Sequence, residues 1–231
     1  MDILAIIPAR GGSKGIPRKN IKLLKGKPLI QYALDQAKRL GLFKNIVVST
    51  EDDEIAGVCS KLGYPLTYKR PDSLSLDSTP TLPVILHVLE EEKKLGNTYD
   101  AVCLLQTTAP LRSDTLVLKA IEKLRQGKNL DAVVSMKEVP SHFHPNWVFK
   151  QVSEEHIRPY EEEVITQRQL LKPVYYRDGS VYLTTVNCLI NKASLFGEKT
   201  GMVINDDLSI NLDTMQDWND AEKMLGDICV D

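Results

Sequence analysis

Between Pro8 and Asn20 the chain reads PARGGSKGIPRKN, which crowds Arg10, Lys14, Arg18 and Lys19 together with Ser13, Gly11, Gly12 and Gly15. Cations interleaved with glycines suit a polyphosphate. Glycine lets the backbone approach an anion and turn its amides inward, while the cations neutralise several charged oxygens at once. No glycine here opens the G-x-x-x-x-G-K-[ST] pattern of a P-loop, and the G-x-G-x-x-G dinucleotide fingerprint is missing too. A solvated turn could share this composition. What points to phosphate is position: the loop directly follows LAIIP (Leu4–Pro8), an apolar run that reads as a buried strand, and ligands of open parallel sheets bind beyond the carboxyl ends of strands.

The elements that must hold such a loop follow at a regular rhythm. Residues 28–40 carry Leu29, Tyr32, Ala33, Gln36 and Leu40 at helical spacing, with Pro28 in the first turn and Gly41 at the exit. Residues 45–50 read as a second strand, 51–63 as a helix with acids in its first turn, and 65–69 as a third, shorter strand. A helix over 81–95, the most hydrophobic strand over 100–106, a helix over 113–126 with Ser113 as N-cap, and a strand over 131–136 complete the run. Strands separated by helices in this way predict a doubly wound α/β fold with a mostly parallel sheet.

After Met136 the rhythm breaks. Residues 137–177 are polar and irregular, and read as an insertion that packs on a partner subunit or, alternatively, as a long surface excursion. A strand from Ser180 towards Asn191, another over 201–205 and a helix over 214–225 then resume. The expected organisation is an α/β domain made of 1–136 and 178–231, with 137–177 as an inserted dimerisation arm. His142 and His144 in the arm alternate as on one strand face, a pair that reads as structural rather than as a zinc site.

The composition narrows the function classes. With 29 Lys+Arg against 31 Asp+Glu in 231 residues, the chain has no cationic surplus to hold nucleic acid. No stretch approaches the roughly 18 apolar residues that would cross a bilayer, and the start, MDILAIIPAR, has no basic leader region. Cys59, Cys103, Cys188 and Cys229 are scattered, which predicts reduced, mostly buried thiols and no disulfide or zinc framework. The expected location is the cytoplasm.

Several segments together carry a more specific resemblance. Arg10-Gly11-Gly12-Ser13-Lys14-Gly15-Ile16-Pro17-Arg18-Lys19-Asn20 resembles the signature loop of the sugar nucleotidyltransferases, and in particular of the acylneuraminate (CMP-sialic acid) cytidylyltransferases. This family includes enzymes for sialic, legionaminic and pseudaminic acids; the Kdo cytidylyltransferases are similar more weakly. The stretches 70–79 (RPDSLSLDST), 104–112 (LLQTTAPLR), Arg168-Gln169 with 178–182 (DGSVY), and 209–214 (SINLDT) resemble further family blocks in the same order.

The resemblance implies a Rossmann-like nucleotidyltransferase fold, a homodimer, Mg²⁺, and transfer of CMP from CTP to a 2-keto nonulosonic acid with release of pyrophosphate. By position it implies phosphate-handling and catalytic roles for Lys14, Arg10 and Lys19. Nucleotide contacts fall to Arg10, Gly12, Ser13, Asn20, Arg70 and Thr79, and sugar contacts to Gln106, Arg168 and Tyr182, with Arg168 reaching a neighbouring subunit's site. Read alone, Arg70 could equally cap a strand at the surface, and Gln106 could bond to its own turn.

Two departures from the family pattern matter. Where relatives place two aspartates for the metal, this chain has Asn211 and Asp213. Mg²⁺ takes one or two carboxylates and completes its shell with water and phosphate, so metal dependence is expected to persist with weaker affinity. Tyr176-Arg177-Asp178-Gly179 stands where relatives often have Arg-Pro-Asn-Gly, so the basic residue is shifted by one place, and an acid near the sugar pocket weighs against plain sialic acid. The alternatives are a nucleotidyltransferase for another sugar acid such as Kdo or for a sugar 1-phosphate, or a non-catalytic sugar-nucleotide binder.

Overall fold

The first strand, β1 (Ile3–Pro8), forms from an unbroken apolar run because it is buried on both faces and has no solvent side to furnish with polar residues. A computed structural model describes residues 1–127, 129–162 and 165–228. After β1 come the short β2 (Leu23–Leu24) and β3 (Lys27–Pro28), then α1 (Leu29–Leu40), β4 (Asn45–Ser49), α2 (Asp53–Lys61), α3 (Thr81–Lys94), β5 (Ala101–Leu104), α4 (Asp114–Gln126) and β6 (Ala132–Glu138). The chain then makes β7 (Phe149–Gln151) and β8 (Ile157–Pro159), returns as β9 (Tyr175–Thr185), and ends with α5 (Val186–Asn191), β10 (Thr200–Ile204) and α6 (Met215–Ile228).

The six-stranded sheet has the order β10-β6-β9-β5-β1-β4. Five strands run the same way, and β9 lies antiparallel between β5 and β6. Alternate residues of β1 supply two cores. Ile3, Ala5 and Ile7 pack with α1, α2 and α4, while Leu4 and Ile6 pack with Ile85 and Val88 of α3 and Leu189 of α5. Helices therefore cover both faces, as the alternating pattern predicts.

A third cluster bears on the site. Ile16, in the middle of the cationic loop, is buried with Leu24, Leu29 and Leu212 and with Trp218 and Ala221 of α6. One apolar side chain thus anchors the loop to the last helix.

Three local readings are corrected. Residues 65–69 run beside the β4 edge without pairing, separated from it by a small cavity of about 60 Å³. Pro65 has no N–H to donate, and the preceding Tyr64 N–H is already bound to Cys59 O, so no ladder starts there. The helix expected over 51–63 begins at Asp53, because Asp52 is its N-cap and accepts from the N–H groups of Glu54 and Ile55; Glu51 is left outside it. The strand expected to run on towards Asn191 stops at Thr185, whose hydroxyl accepts the Cys188 N–H and starts α5. A Thr-Val run suits a strand and a capped helix start equally.

In the arm, His142 lies in a short 3-10 turn (Ser141–Phe143), not on a strand. His144 is buried and donates from Nε2 to Lys172 O. Cys59, Cys103 and Cys188 are free and buried, whereas Cys229 lies outside the described residues. Among the described residues no helix is long and apolar enough to cross a membrane.

Candidate active site

At the carboxyl ends of β1 and β5 a cavity of about 360 Å³ opens. Its walls include Arg10, Ser13, Lys14, Gly15, Lys19, Asn20, Arg70, Gln106, Thr107, Thr108 and Asp213. Gly15 is required by close approach, since a Cβ there would sit 2.0 Å from Asp213 O; at Gly11 it would sit 2.3 Å from the Asp52 carboxylate. None of the three loop glycines has a positive φ; the left-handed residue is Arg18, at φ 53°. Arg18 grips Asp52 with two hydrogen bonds, of 2.6 and 2.8 Å, and also meets Glu54, so it braces the loop from outside the cavity. This partner holds the Asp52 carboxyl down at about 2.

The other cations are poised differently. Arg10 and Lys14 share one carboxylate, Asp77, at 2.8 and 2.9 Å. Lys14 is otherwise exposed, and its hydrogen bond keeps the Asp77 carboxyl below its ordinary range. A single carboxylate thus bridges two loop cations, and it is exposed enough to move aside. Lys19 is mostly buried and donates to Leu212 O at 2.6 Å, with Asp213 at 3.6 Å. Burial lowers its ammonium pKa, and the Asp213 charge works against that shift.

Asn20 is buried. Its amide donates to Arg10 O at 2.9 Å and its Oδ1 accepts the Thr107 hydroxyl at 2.6 Å, which ties the loop to the end of β5. Arg70 is buried and pairs with Glu51 at 2.8 Å, and the other Glu51 oxygen accepts the Gly11 N–H at 2.7 Å. Burial pushes the Glu51 carboxyl up, but the Gly11 N–H and the Arg70 guanidinium outweigh it and hold the pKa below the usual range. The Arg70 Nε is buried without a hydrogen-bond partner among the described residues, while the residue as a whole lines the cavity.

A second cavity, of about 280 Å³, lies against the first, and Gln106 lines both. Its other walls are Thr81, Leu104, Arg177, Gly179, Tyr182, Leu195 and Asn211. Burial raises the Tyr182 pKa. Beneath the shared wall, Arg112 is buried and donates to Gln36 Oε1 (2.7 Å), Gln106 O (3.2 Å) and Ser180 O (3.1 Å), and burial lowers its pKa to about 10. It joins the end of β5 to β9 with neutral acceptors only.

Asn211 and Asp213 are exposed on either side of buried Leu212, which puts them on one face of an extended segment. Asp213 lines the first cavity and Asn211 the second. Among the described residues no three His, Cys, Asp or Glu side chains cluster as a metal cage. The pair nevertheless offers hard oxygen donors, one carboxylate and one amide carbonyl, which fits a small divalent cation that keeps water and phosphate ligands.

The structure thus gathers Arg10, Ser13, Lys14, Lys19, Asn20, Arg70, Gln106 and Asp213 around one cavity, and Gln106, Tyr182 and Asn211 around its neighbour. Three expected residues stand apart. Gly12 does not line either cavity and has open space around it. Thr79 bonds to the turn that carries Asp77, its N–H donating to Leu76 O. Arg168 sits in the arm beside His144 and Lys172.

Sequence reasoning gave no role to Glu51, Asp77 or Arg112, and noted Arg177 only as a basic residue shifted by one place. The acid at 51 merges with the helix-start acids that follow it, and Arg112 closes a block whose other residues drew the reading. Asp178, read as an acid near the sugar, turns inward. It accepts from Ser135 Oγ, Asn205 Nδ2 and the Ser180 N–H, and although burial pushes its carboxyl up, these donors hold it below its ordinary range.

Comparison with known proteins bears on the family and the fold. Residues 4–210 match the family described as Cytidylyltransferase. A pseudaminic acid cytidylyltransferase of Campylobacter jejuni is 33% identical over 228 residues, covering 96% of this chain and 95% of that protein. A CMP-N,N'-diacetyllegionaminic acid synthase of Legionella pneumophila is 32% identical over 231 residues, covering 97% of each. The solved structure of a CMP:2-keto-3-deoxy-manno-octonic acid synthetase complexed with CTP superposes with a TM-score of 0.74 at 15% identity, over 98% of this chain and 99% of that one. At that identity the likeness is one of fold.

Proposed function

This chain belongs to the cytidylyltransferase family, and on that premise we propose that it transfers CMP from CTP to the anomeric hydroxyl of a nonulosonic acid, releasing pyrophosphate. The observation that carries the reading is the pair of adjoining cavities that share Gln106, one with phosphate-type cations and the other with a mixed polar and apolar lining.

In this reaction the acceptor oxygen forms a bond to the α-phosphorus as the bond to the β-phosphate oxygen breaks, with entering and leaving oxygens in line. The protein's part is positioning and charge stabilisation. Arg10 and Lys14 exchange Asp77 for the triphosphate and balance the charge that builds on the departing pyrophosphate. Ser13 adds a hydroxyl donor to the same oxygens, and Asn20 keeps Arg10 and Thr107 in register. Arg70, oriented by Glu51, forms part of the wall that faces the nucleotide. Gln106, held from below by Arg112, contacts the acceptor where the two cavities meet.

Asp213 and Asn211 would hold Mg²⁺, which supplies charge neutralisation on phosphate oxygens when bound. Lys19 fixes the segment that carries them through Leu212 O. We also propose a homodimer formed through 137–177. Phe143, Phe149, Ile157, Tyr160 and Leu170 of this arm are exposed, and a second copy would cover them and bring Arg168 towards the partner's acceptor cavity.

Pyrophosphate release tests the reading, with purified protein, CTP, Mg²⁺ and a panel of acceptors. Turnover with a nonulosonic acid is expected. Turnover confined to sugar 1-phosphates, or CTP binding without any turnover, would contradict it.

A further inference from the structure

We propose that Arg177 determines acceptor specificity by binding the carboxylate of the 2-keto acid, an assignment that rests on the cytidylyl-transfer reading above. The geometry of β9 carries it. Pairing with β6 runs regularly through Val134↔Tyr182 and resumes only at Met136↔Arg177, so two steps along β6 answer five along β9. In a regular strand, residues five apart point to opposite faces. Here the intervening irregularity contains Gly179, whose φ of 79° suits glycine, and an irregularity of this kind re-aims the side chains on either side of it. As a result Arg177 and Tyr182 line the same acceptor cavity, with Gly179 between them.

The same turn of backbone sorts the charges. Asp178 goes inward to Ser135 and Asn205, and the cation next to it goes to the cavity. The Arg177 guanidinium lies 5.1 Å from the centre of the Phe196 ring, which in turn packs against Tyr182 at 6.2 Å. An aromatic platform orients the planar group without consuming its N–H donors. Arg177 is exposed, and no carboxylate among the described residues forms an ion pair with it. The acceptor cavity therefore has an oriented cation with its hydrogen-bonding capacity unspent.

The chemistry of the acceptor gives that cation a use. In the ring form of a 2-keto acid, the anomeric carbon bears both the carboxylate and the hydroxyl that attacks phosphorus. Holding the carboxylate with a two-pronged guanidinium fixes the hydroxyl on the adjoining anomeric carbon, beside Gln106 and the nucleotide cavity. A neutral sugar lacking that carboxylate gains nothing from Arg177.

The test measures pyrophosphate release by full-length wild type, Arg177→Met and Arg177→Lys, with the accepted keto acid and with its carboxamide. Arg177→Met is expected to lower kcat/KM for the acid about 10- to 100-fold, the range for losing a charge-assisted hydrogen bond, while the KM for CTP stays within about twofold. It should also erase the wild type's preference for the acid over the carboxamide, and Arg177→Lys should restore part of that preference. The residue is exposed, so melting temperatures should be nearly unchanged. Equal increases in the KM of CTP and acid, or a wild-type preference for the acid surviving in Arg177→Met, would overturn the assignment while transfer stands. A folded wild type inactive with every keto acid would overturn the transfer reading, and this assignment with it.

Discussion

Replacing Glu51 by Gln isolates the contact that orients Arg70 in the wall of the first cavity. The Arg70 and Glu51 side chains keep only 4% and 15% of their exposure, so the pair is shielded from solvent screening. Deleting one partner of a buried pair costs about 3–5 kcal/mol, because the other charge is left uncompensated. Glutamine keeps the shape and a neutral acceptor, so the loss should approach that of a charge-assisted hydrogen bond, about 2–3 kcal/mol. At about 2–4 °C per kcal/mol for a chain of this size, the melting temperature should fall by about 4–12 °C. The sign of the pH dependence follows from the lowered Glu51 pKa. Its stabilisation is fully present above the ordinary carboxylate range and is lost as pH falls through the lower folded-state value, so the gap between parent and variant should narrow in acid. Thermal melts across pH and CTP titrations measure both effects, and the KM for CTP should rise because Arg70 loses its orientation. A variant that melts within about 1 °C of the parent at neutral pH would show that the pair does not organise this wall.

Lys14→Ala should reduce turnover about 10²- to 10³-fold, the usual loss for one transition-state donor; turnover within threefold of the parent would remove Lys14 from the mechanism. Asp77→Asn frees Arg10 and Lys14 from an exposed competitor and should lower the CTP concentration for half-saturation about two- to fivefold, as expected for surface ion pairs; a rise would mean Asp77 assists binding instead. Asn211→Asp should lower the Mg²⁺ concentration for half-maximal activity, read by metal titration at fixed CTP, and no change would place residue 211 away from the metal.

The parallel sheet was legible because strands such as Ile3–Ile7 are apolar on both faces and the helices between them have three-to-four spacing. The cationic loop was legible because its residue types and its place after β1 are both local facts. Contacts between distant segments were not. Glu51 reaches Gly11 and Arg70, and Asp77 reaches Arg10, only because the sheet brings their loops to one end. Pro65–Lys69 has the composition of a strand, yet the Tyr64 N–H that would open its ladder is taken by Cys59 O, a contact that sequence does not display. The facing of Arg177 depended on an irregular register set by Gly179, a property of two strands together.

The most direct test of the central claim is a calorimetric titration of the folded protein with CTP and magnesium, run beside the Arg10→Ala/Lys14→Ala double variant. Saturable binding at one nucleotide per chain, abolished or strongly weakened in the double variant, is the predicted result. No saturable heat with the parent, or equal affinity in both proteins, would contradict the claim that the loop after β1 grips the triphosphate.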